Sequence, residues 1–300
     1  MKYEEKIISS VDGYPLNVRF YDVDSPKGVV QIIHGMQEHQ GRYEDFAYFL
    51  QSNGYAVVTS DMRGHGPNAP KLSHIADKDG HKLIIEDEKV IFREIKERYQ
   101  CIPVILLGHS MGTIIARNLL MNESNEYIKV VLSGYPNPNP AGKVGITLSN
   151  MIGKSKGRDK YSKMLTNLVL GPFSKSIKDK TSDLDWLSYN KENVKRYEED
   201  PLCGKEFTIG SYNALFHLVA GMSSPKGYKD VNNNLPIYLI SGEDDPCTGG
   251  EKGRNASIKV LTKAGFTNLK VDTLKHMRHE ILNEDDKYTV YRMILEFIDR

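Results

Sequence analysis

The sequence predicts an α/β protein with a mostly parallel central sheet, helices on both faces of the sheet and a helical cap inserted after the sixth strand. Apolar runs of strand length alternate with segments of helical periodicity over the first 135 residues and again near the end of the chain. About a hundred residues with a mainly helical pattern separate these two regions. Because an alternating βαβα order favours a parallel sheet that helices cover on both faces, we expect this architecture.

The first 135 residues contain four predicted strands and three predicted helices. The run GVVQIIHG (28–35) is typical of the strands, because it is apolar and ends at a glycine. The segment 82–99 is typical of the helices, because its apolar residues recur at helical spacing. The other predicted strands are 55–61, 101–110 and 128–134, and the other predicted helices are 44–54 and 113–122. We assign residues 1–135 to the N-terminal part of a core.

The region 136–234 shows no clear buried strand. It begins within the turn-rich segment YPNPNP and continues with short amphipathic pieces. We therefore predict a mainly helical cap, or lid, over 136–234 that covers a site at the strand ends. Residues 235–300 form the predicted C-terminal part of the core, with strands at 235–242 and 268–274 and helices at 250–264 and 286–299.

Composition excludes several classes of protein. Forty basic and thirty-nine acidic side chains give a net charge of +1, so we expect no nucleic-acid partner. Cys101, Cys203 and Cys247 show no CxxC spacing, which argues against a disulfide framework and a zinc site. The chain begins without an apolar signal segment and contains no apolar stretch of membrane-spanning length. We therefore predict a globular cytoplasmic protein.

The segment ILLGHSMGTIIA (105–116) places Ser110 between two glycines, after an apolar run and before a helical pattern. A G-x-S-x-G motif in this context is a nucleophile elbow, a tight turn from strand to helix that exposes the serine hydroxyl. The helix after the serine directs free backbone N–H groups and the positive end of its dipole towards the reacting centre. The segment therefore predicts a nucleophilic serine.

A serine nucleophile needs a histidine base, and the histidine needs a carboxylate that fixes its tautomer. Proteins with a nucleophile elbow supply these groups in the chain order Ser, Asp/Glu, His. Only His217, His276 and His279 follow Ser110, and His217 falls in the predicted cap. The segment KHMRHE (275–280) therefore supplies the base, either as His276 or as His279.

The acid is expected in the loop after the strand 235–242, which comes one strand earlier than the strand 268–274 that leads into this segment. The sequence LISGEDDP (239–246) offers Glu243, Asp244 and Asp245 at that point. The three required groups thus occur in the required chain order, and by position alone all three acids remain candidates.

With these motifs the chain resembles the monoglyceride lipase and lysophospholipase branch of the α/β-hydrolases, also described as serine aminopeptidase S33-like. The first and last matching segments are specific to this branch, and only the predicted cap is unmatched in detail. The matching segments are IIHGMQEHQGRYEDFAYFLQSNGYAVVTSDMRGHG (32–66), LLGHSMG (106–112), LISGEDDP (239–246) and MRHEILNE (277–284).

The resemblance implies a catalytic triad of Ser110, Asp245 and His279. In the family the acid follows the strand as Gly-x-x-Asp, and the count from Gly242 reaches Asp245. Asp244 is the alternative acid, because a shift of one residue in the loop would exchange the two. His279 is the implied base, since it lies in the segment RHEILNE.

The resemblance also implies an oxyanion hole formed by the backbone N–H groups of Met36 and Met111. His34 and His109 flank these donors, and we expect packed, hydrogen-bonded supporting roles for both rings. Cys247 either borders the pocket or is an ordinary loop thiol. Structural roles are expected for the side chains of DMRGHG (61–66), namely Asp61, Arg63 and His65.

The predicted function is that of a serine hydrolase that cleaves carboxylic esters through an acyl-enzyme, with monoacylglycerol or a lysophospholipid as small-molecule substrate and no metal or organic cofactor. An aminopeptidase or a thioesterase could use the same triad, and a non-catalytic binding protein is a further alternative. Residues 151–180 carry eight Lys/Arg and two Asp. This part of the cap either contacts an anionic lipid surface transiently or forms a solvated face.

Overall fold

The structure is a computed structural model that describes residues 3–300, so the first two residues of the predicted core lie outside the described residues. These residues form one sheet of eight strands. In chain order the strands are β1 (Glu4–Ser9), β2 (Pro15–Tyr21), β3 (Val29–Ile33), β4 (Ala56–Ser60), β5 (Val104–His109), β6 (Lys129–Ser133), β7 (Ile237–Gly242) and β8 (Leu269–Leu274).

The sheet is antiparallel at one end and parallel over the rest. Its spatial order is β1-β2-β4-β3-β5-β6-β7-β8. Strand β2 runs antiparallel to β1 and to β4, whereas every neighbouring pair from β4 to β8 is parallel. The carboxyl ends of the parallel strands therefore meet at one edge of the sheet. The predicted α/β class with a mostly parallel sheet is confirmed.

No strand is predicted before residue 28, whereas β1 and β2 occupy that region. Strand β1 lies at the sheet edge, and Ile8 is its only buried residue. An edge strand exposed on nearly all positions lacks the alternation of apolar and polar residues that identifies a half-buried strand. In β2 the alternation is present, because Leu16, Val18 and Phe20 all face one apolar cluster.

Helices cover both faces of the sheet. Helices α1 and α10 pack on one face, and α2, α3 and α9 pack on the other. Alternate residues of the central strands face opposite clusters, as Leu106 and Leu107 do in β5, so these strands are apolar at most positions. The α-helices are α1 (Glu44–Ser52), α2 (Gly80–Arg98), α3 (Met111–Glu123), α4 (Gly142–Lys156), α5 (Lys163–Val169), α6 (Gly171–Ser176), α7 (Lys191–Glu199), α8 (Ile209–Met222), α9 (Gly250–Ala264) and α10 (Lys287–Asp299).

The connection between β6 and β7 contains α4 to α8, where the cap is predicted. Helix α8 connects this segment to the core, because it packs against α4 of the segment and also against the core helices α2 and α3. Ten of the fourteen residues of α8 are buried, so the helix is enclosed on most sides. Among residues 3–300, none of the helices combines the length and apolarity that crossing a membrane requires.

Candidate active site

Ser110 occupies a strained turn between β5 and α3, with φ 51° and ψ −117°. A positive φ is uncommon for a residue other than glycine and is typical of functional sites. The flanking glycines are sterically required. A Cβ at Gly108 would lie 2.5 Å from the Gly112 carbonyl oxygen, and a Cβ at Gly112 would lie 2.1 Å from the Ile33 carbonyl oxygen. The G-x-S-x-G motif thus lets α3 approach β3 and β5 closely while Ser110 faces a cavity.

His279 and Asp245 form a buried pair. The Nδ1 atom of His279 lies 3.0 Å from Oδ2 of Asp245, and the two side chains are 2% and 0% exposed. The other carboxylate oxygen of Asp245 accepts the backbone N–H of Cys247 at 2.8 Å. Asp245 is therefore held by two interactions, whereas the neighbouring Glu243 is exposed.

The environment of His279 favours its protonated form. Burial lowers the pKa of the imidazole, but the charge and the hydrogen bond of Asp245 outweigh burial, so the pKa lies above the ordinary value of 6.5. The neighbouring ring of His109 has the opposite shift, because burial and the nearby His279 lower its pKa to about 4. A base paired with a buried carboxylate is what a serine nucleophile requires.

The alternative acid and the alternative base point away from this pair. Asp244 is exposed and accepts the hydroxyl of Tyr189 at 3.0 Å. His276 is also exposed and stacks on the same Tyr189 ring, with 4.3 Å between the centroids. His217 stacks on His81 at 4.2 Å, where α8 meets the start of α2. Chain order alone does not distinguish His279 from His276 or Asp245 from Asp244. The hydrogen bond between His279 and Asp245 favours these two residues as base and acid.

The backbone around Met36 and Met111 borders the same cavity as Ser110 and His279. Met111 is the first residue of α3, so its N–H has no acceptor within the helix. Met36 precedes Gln37, which has a positive φ of 60°. These two backbone segments approach the cavity from the end of β3 and from the start of α3.

Three neighbouring groups hold the turn that contains Met36. Glu38 accepts the Gly35 N–H at 2.5 Å, and His65 Nε2 accepts the Gln37 N–H at 3.3 Å. The carbonyl of Gln37 accepts the hydroxyl of Tyr197 at 2.8 Å. Because Tyr197 belongs to α7, the cap region also restrains this turn.

His34 has the hydrogen bonds expected of a supporting residue. Its Nε2 accepts the Met62 N–H at 3.0 Å, its Nδ1 lies 2.7 Å from the Gly35 carbonyl, and burial lowers its pKa to about 4. His109 differs, because its Nδ1 has no hydrogen-bond partner within residues 3–300. Its ring instead packs 4.8 Å from the ring of His279.

The polar residues of DMRGHG stabilise the loops behind the elbow. Asp61 accepts the backbone N–H and the side-chain amide of Gln40, both at 2.9 Å. Arg63 is 2% exposed and binds the carboxylates of Asp87 and Asp12. None of these atoms faces the cavity, in agreement with a structural role.

A buried network around Arg42 was not predicted from the sequence. Arg42 binds Glu38 at 2.9 Å and Glu280 at 2.5 Å, and it donates to the side chain of Asn193 at 2.9 Å. Burial raises the pKa of Glu38, but Arg42, together with His109, His34 and the Tyr43 hydroxyl, outweighs burial and the pKa is lowered. The network joins the Met36 turn, the residue after His279 and helix α7. The only sequence signal is the position of Arg42 in the segment 32–66.

The cavity has a volume of about 730 Å³ and lies between the strand ends and the cap region. Polar groups of Gln37, Glu38, Tyr197 and Glu280 contribute to its lining, and Cys247 borders it as well. Burial raises the pKa of the Cys247 thiol well above its ordinary value. The apolar lining includes Ile114, Val144, Leu168, Val169, Leu215 and Phe216.

Two groups of described side chains bring metal-ligand atoms within 4.8 Å of one another. One contains Asp245, Cys247 and His279, where a metal would replace the hydrogen bond of the His–Asp pair. The other contains His39, Asp200 and Cys203. There His39 Nδ1 accepts the Gly41 N–H, so Nε2 carries the proton and donates to Asp200 at 2.8 Å. In each group, the histidine nitrogen that faces the carboxylate is therefore already hydrogen-bonded.

Known proteins are similar to this chain over most of its length. A profile of the family described as "Serine aminopeptidase, S33" matches residues 24–286. Phospholipase YtpA of Bacillus subtilis is 25% identical over 280 residues, which cover 93% of this chain and 98% of the relative. Monoacylglycerol lipase of Mycolicibacterium smegmatis is 28% identical over 289 residues, which cover 93% of this chain and 91% of the relative.

A solved structure also resembles the chain over its whole length. It is a highly thermostable carboxyl esterase from Bacillus coagulans in complex with glycerol, with a TM-score of 0.91 and 25% sequence identity. The similarity covers 100% of this chain and 98% of the esterase.

Proposed function

This chain belongs to the serine aminopeptidase S33 family and is an ester-hydrolysing α/β-hydrolase, and we propose that it acts through Ser110, His279 and Asp245 on monoacylglycerols or lysophospholipids. One observation carries the assignment of residues. His279 is hydrogen-bonded to the buried carboxylate of Asp245 and borders the same cavity as Ser110, which lies on a strained elbow.

In the proposed acylation step, His279 Nε2 takes the proton of the Ser110 hydroxyl as Oγ attacks the ester carbonyl carbon. The carbonyl oxygen becomes an oxyanion that accepts hydrogen bonds from the N–H groups of Met36 and Met111. When the tetrahedral intermediate collapses, the bond to the alcohol oxygen breaks, and His279 returns the proton to the leaving alcohol. The product that remains is an acyl ester of Ser110.

Deacylation repeats the same sequence with water as the nucleophile. His279 accepts a proton from water, the hydroxide oxygen attacks the acyl carbon, and the Ser110 oxygen leaves and regains its proton. The fatty acid is then released. Asp245 remains ionised throughout and stabilises the imidazolium that forms twice in each cycle.

The lining of the cavity supports a substrate with an apolar acyl chain and a small polar alcohol. Apolar side chains such as Ile114, Leu215 and Phe216 provide a wall for an acyl chain. Polar residues such as Gln37 line the side of the cavity at the Met36 turn and suit an alcohol with free hydroxyls. The two named relatives, a phospholipase and a monoacylglycerol lipase, fit substrates of this kind.

An aminopeptidase would need a free carboxylate for the α-amino group of its substrate. Glu38 and Glu280 border the cavity, but both carboxylates bind Arg42. Glu38 also accepts the hydroxyl of Tyr43 at 2.7 Å. Because these acids already have partners, the cavity favours a neutral ester over an ammonium-bearing peptide.

The exposed apolar residues of α4 and α5 suit transient contact with a lipid surface. Val144, Met151, Met164 and Leu168 are between 51% and 68% exposed, although they are large apolar residues. They lie on α4 and α5, among the lysines of the segment 151–180. Exposed apolar side chains surrounded by basic residues are typical of surfaces that bind anionic lipid.

The decisive experiment measures hydrolysis by the wild type and Ser110→Ala across p-nitrophenyl esters from acetate to palmitate. The substrates 1-monoacylglycerol, lysophosphatidylcholine, an acyl thioester and an aminoacyl anilide are tested in parallel. Ser174→Ala is the matched control, since Ser174 also borders the cavity but its hydroxyl binds Asp183. We expect activity on medium or long acyl esters that Ser110→Ala abolishes and Ser174→Ala retains.

Other outcomes would change the proposal in defined ways. Turnover of the anilide or the short acetate alone would remove the acyl-lipid assignment. Activity that survives in Ser110→Ala would refute the proposed nucleophile. Failure of the wild type to react with a fluorophosphonate probe would favour a binding protein.

A further inference from the structure

A buried arginine without a carboxylate partner lies on the helix that follows Ser110. Arg117 is in α3 and is 0% exposed. Its Nη2 donates to the Met222 carbonyl at 3.1 Å, whereas Nε and Nη1 have no hydrogen-bond partner within residues 3–300. Of the three N–H donors on these two atoms, the neighbouring Tyr228 hydroxyl oxygen can accept one, so at least two remain without an acceptor.

The side chains around Arg117 add further donors. The hydroxyl of Tyr228 lies beside the guanidinium, and Tyr135 is close enough for its ionisation to respond to the Arg117 charge. Both hydroxyls are buried, with Tyr228 next to Arg117 and Tyr135 next to Ser241, and neither hydroxyl has a further partner in the described chain. Arg254 adds a second positive charge near Tyr135.

The protein supplies little negative charge at this position. The Met222 carbonyl is the last of α8 and carries part of the negative end of that helix dipole. The charge of Asp245 also acts on Tyr135, but its two oxygens are already bound to His279 and to the Cys247 N–H. A buried charge without a counter-charge is strongly unfavourable, so a compensating group is expected here.

We propose that a small monovalent anion, with chloride as the form present in ordinary buffers, binds beside Arg117. The unpaired N–H groups of Arg117 and the hydroxyl of Tyr228 donate to it, and the Tyr135 hydroxyl lies on the same side of the sheet. Complete burial of Arg117 favours a single-atom ion over a phosphate or carboxylate. The site is separate from the ester-binding cavity, because Arg117, Tyr135 and Tyr228 do not line that cavity.

The test measures thermal unfolding of the full-length protein as sodium chloride replaces sodium gluconate at constant ionic strength. We expect a saturable rise in Tm of about 3 °C for the wild type, since an ion that binds only the folded state stabilises it. The rise should be absent in Arg117→Met and reduced in Tyr228→Phe. Arg93→Met is the matched control, because Arg93 is exposed and its removal changes the net charge equally.

A second measurement does not depend on whether a variant folds. Crystals of the wild type grown with bromide in place of chloride should show an anomalous peak within about 3.5 Å of the Arg117 guanidinium. Density for water alone at this position, or equal Tm values in chloride and gluconate, would overturn the proposal. A chloride response of Arg117→Met equal to that of the wild type would overturn it as well.

Discussion

The ring of Trp186 packs against the ring of His279, with 5.1 Å between the two centroids. Trp186 precedes α7 in the cap region and also packs against Phe173. Close by, the N–H of Glu280 donates to the Leu187 carbonyl at 2.7 Å. The residues around Trp186 are therefore attached to the His279 loop, so this part of the cap region orients the proposed base.

We expect Trp186→Ala to lower kcat by about tenfold or more, because His279 loses the packing that restricts its ring. Trp186→Phe should retain most of the activity, since an aromatic ring still covers His279. The measurement is kcat and KM on a p-nitrophenyl ester of medium chain length. A selective rise in KM with unchanged kcat would show that Trp186 binds the acyl chain and does not orient the base.

Asp245→Asn should reduce kcat/KM on the order of 10³- to 10⁴-fold, because the amide cannot stabilise the imidazolium and permits the wrong tautomer of His279. Asp244→Asn is the matched control and should stay within about twofold of the wild type, since Asp244 is exposed and binds Tyr189. Steady-state kinetics on one ester suffices. The reverse pattern would assign the acid to Asp244.

The acid limb of the pH profile should report the His279 pKa. The base acts only when neutral, so kcat/KM falls as the pH decreases through this pKa. Since Asp245 raises the pKa above 6.5, the midpoint should lie above that value. In Asp245→Asn the midpoint of the residual activity should move to lower pH, because the charges of Glu280 and Glu38 then oppose burial without the charge of Asp245. An unchanged midpoint would show that another group titrates.

The buried Glu88 should make stability dependent on pH. Burial raises the pKa of Glu88 from 4.5 to about 8, although the Gln31 amide donates to its carboxylate at 2.9 Å. The folded state thus holds a proton that the unfolded state releases near pH 4.5. This contribution to stability is complete below about pH 4.5 and is lost as the pH rises towards 8.

Glu88→Gln should remove this dependence, because the amide stays neutral and can still accept from Gln31. Between about pH 4.5 and pH 8, we expect the free energy of unfolding of the wild type to fall by on the order of 4 kcal/mol more than that of the variant. Urea unfolding at a series of pH values measures the difference. Parallel curves for the two proteins would show that Glu88 is ionised in the folded state.

Two glycine substitutions test the steric basis of the elbow. Gly112→Ala places a Cβ 2.1 Å from the Ile33 carbonyl oxygen, so we expect a loss of about 3 kcal/mol or more together with loss of activity. Gly171→Ala is the control, since a Cβ at Gly171 meets no atom within 4 Å. Its stability should change by less than about 0.5 kcal/mol. Equal stabilities of the two variants would contradict the close approach.

The strands that are buried on both faces could be predicted from the sequence, and so could the edge strand β8, whereas the edge strand β1 could not. Strands β3 to β7 are mostly apolar runs, and such runs stand out from the helical pattern around them. Strand β1 is exposed and is held by pairing with β2, which is a contact between separate segments. Pairing of this kind leaves no local signal in an exposed strand.

The sequence by itself determined the family, the fold class and the elbow at Ser110, because these depend on local patterns of glycine and apolar residues. The family resemblance already favoured His279 over His276 and Asp245 over Asp244, and the tertiary structure added the buried hydrogen bond between the favoured pair, which depends on the direction of each side chain. It also brought Trp186 onto His279 and enclosed Arg117 without a carboxylate partner. The physical reason is that burial and hydrogen-bond partners come from residues far apart in the chain, and no local pattern encodes them.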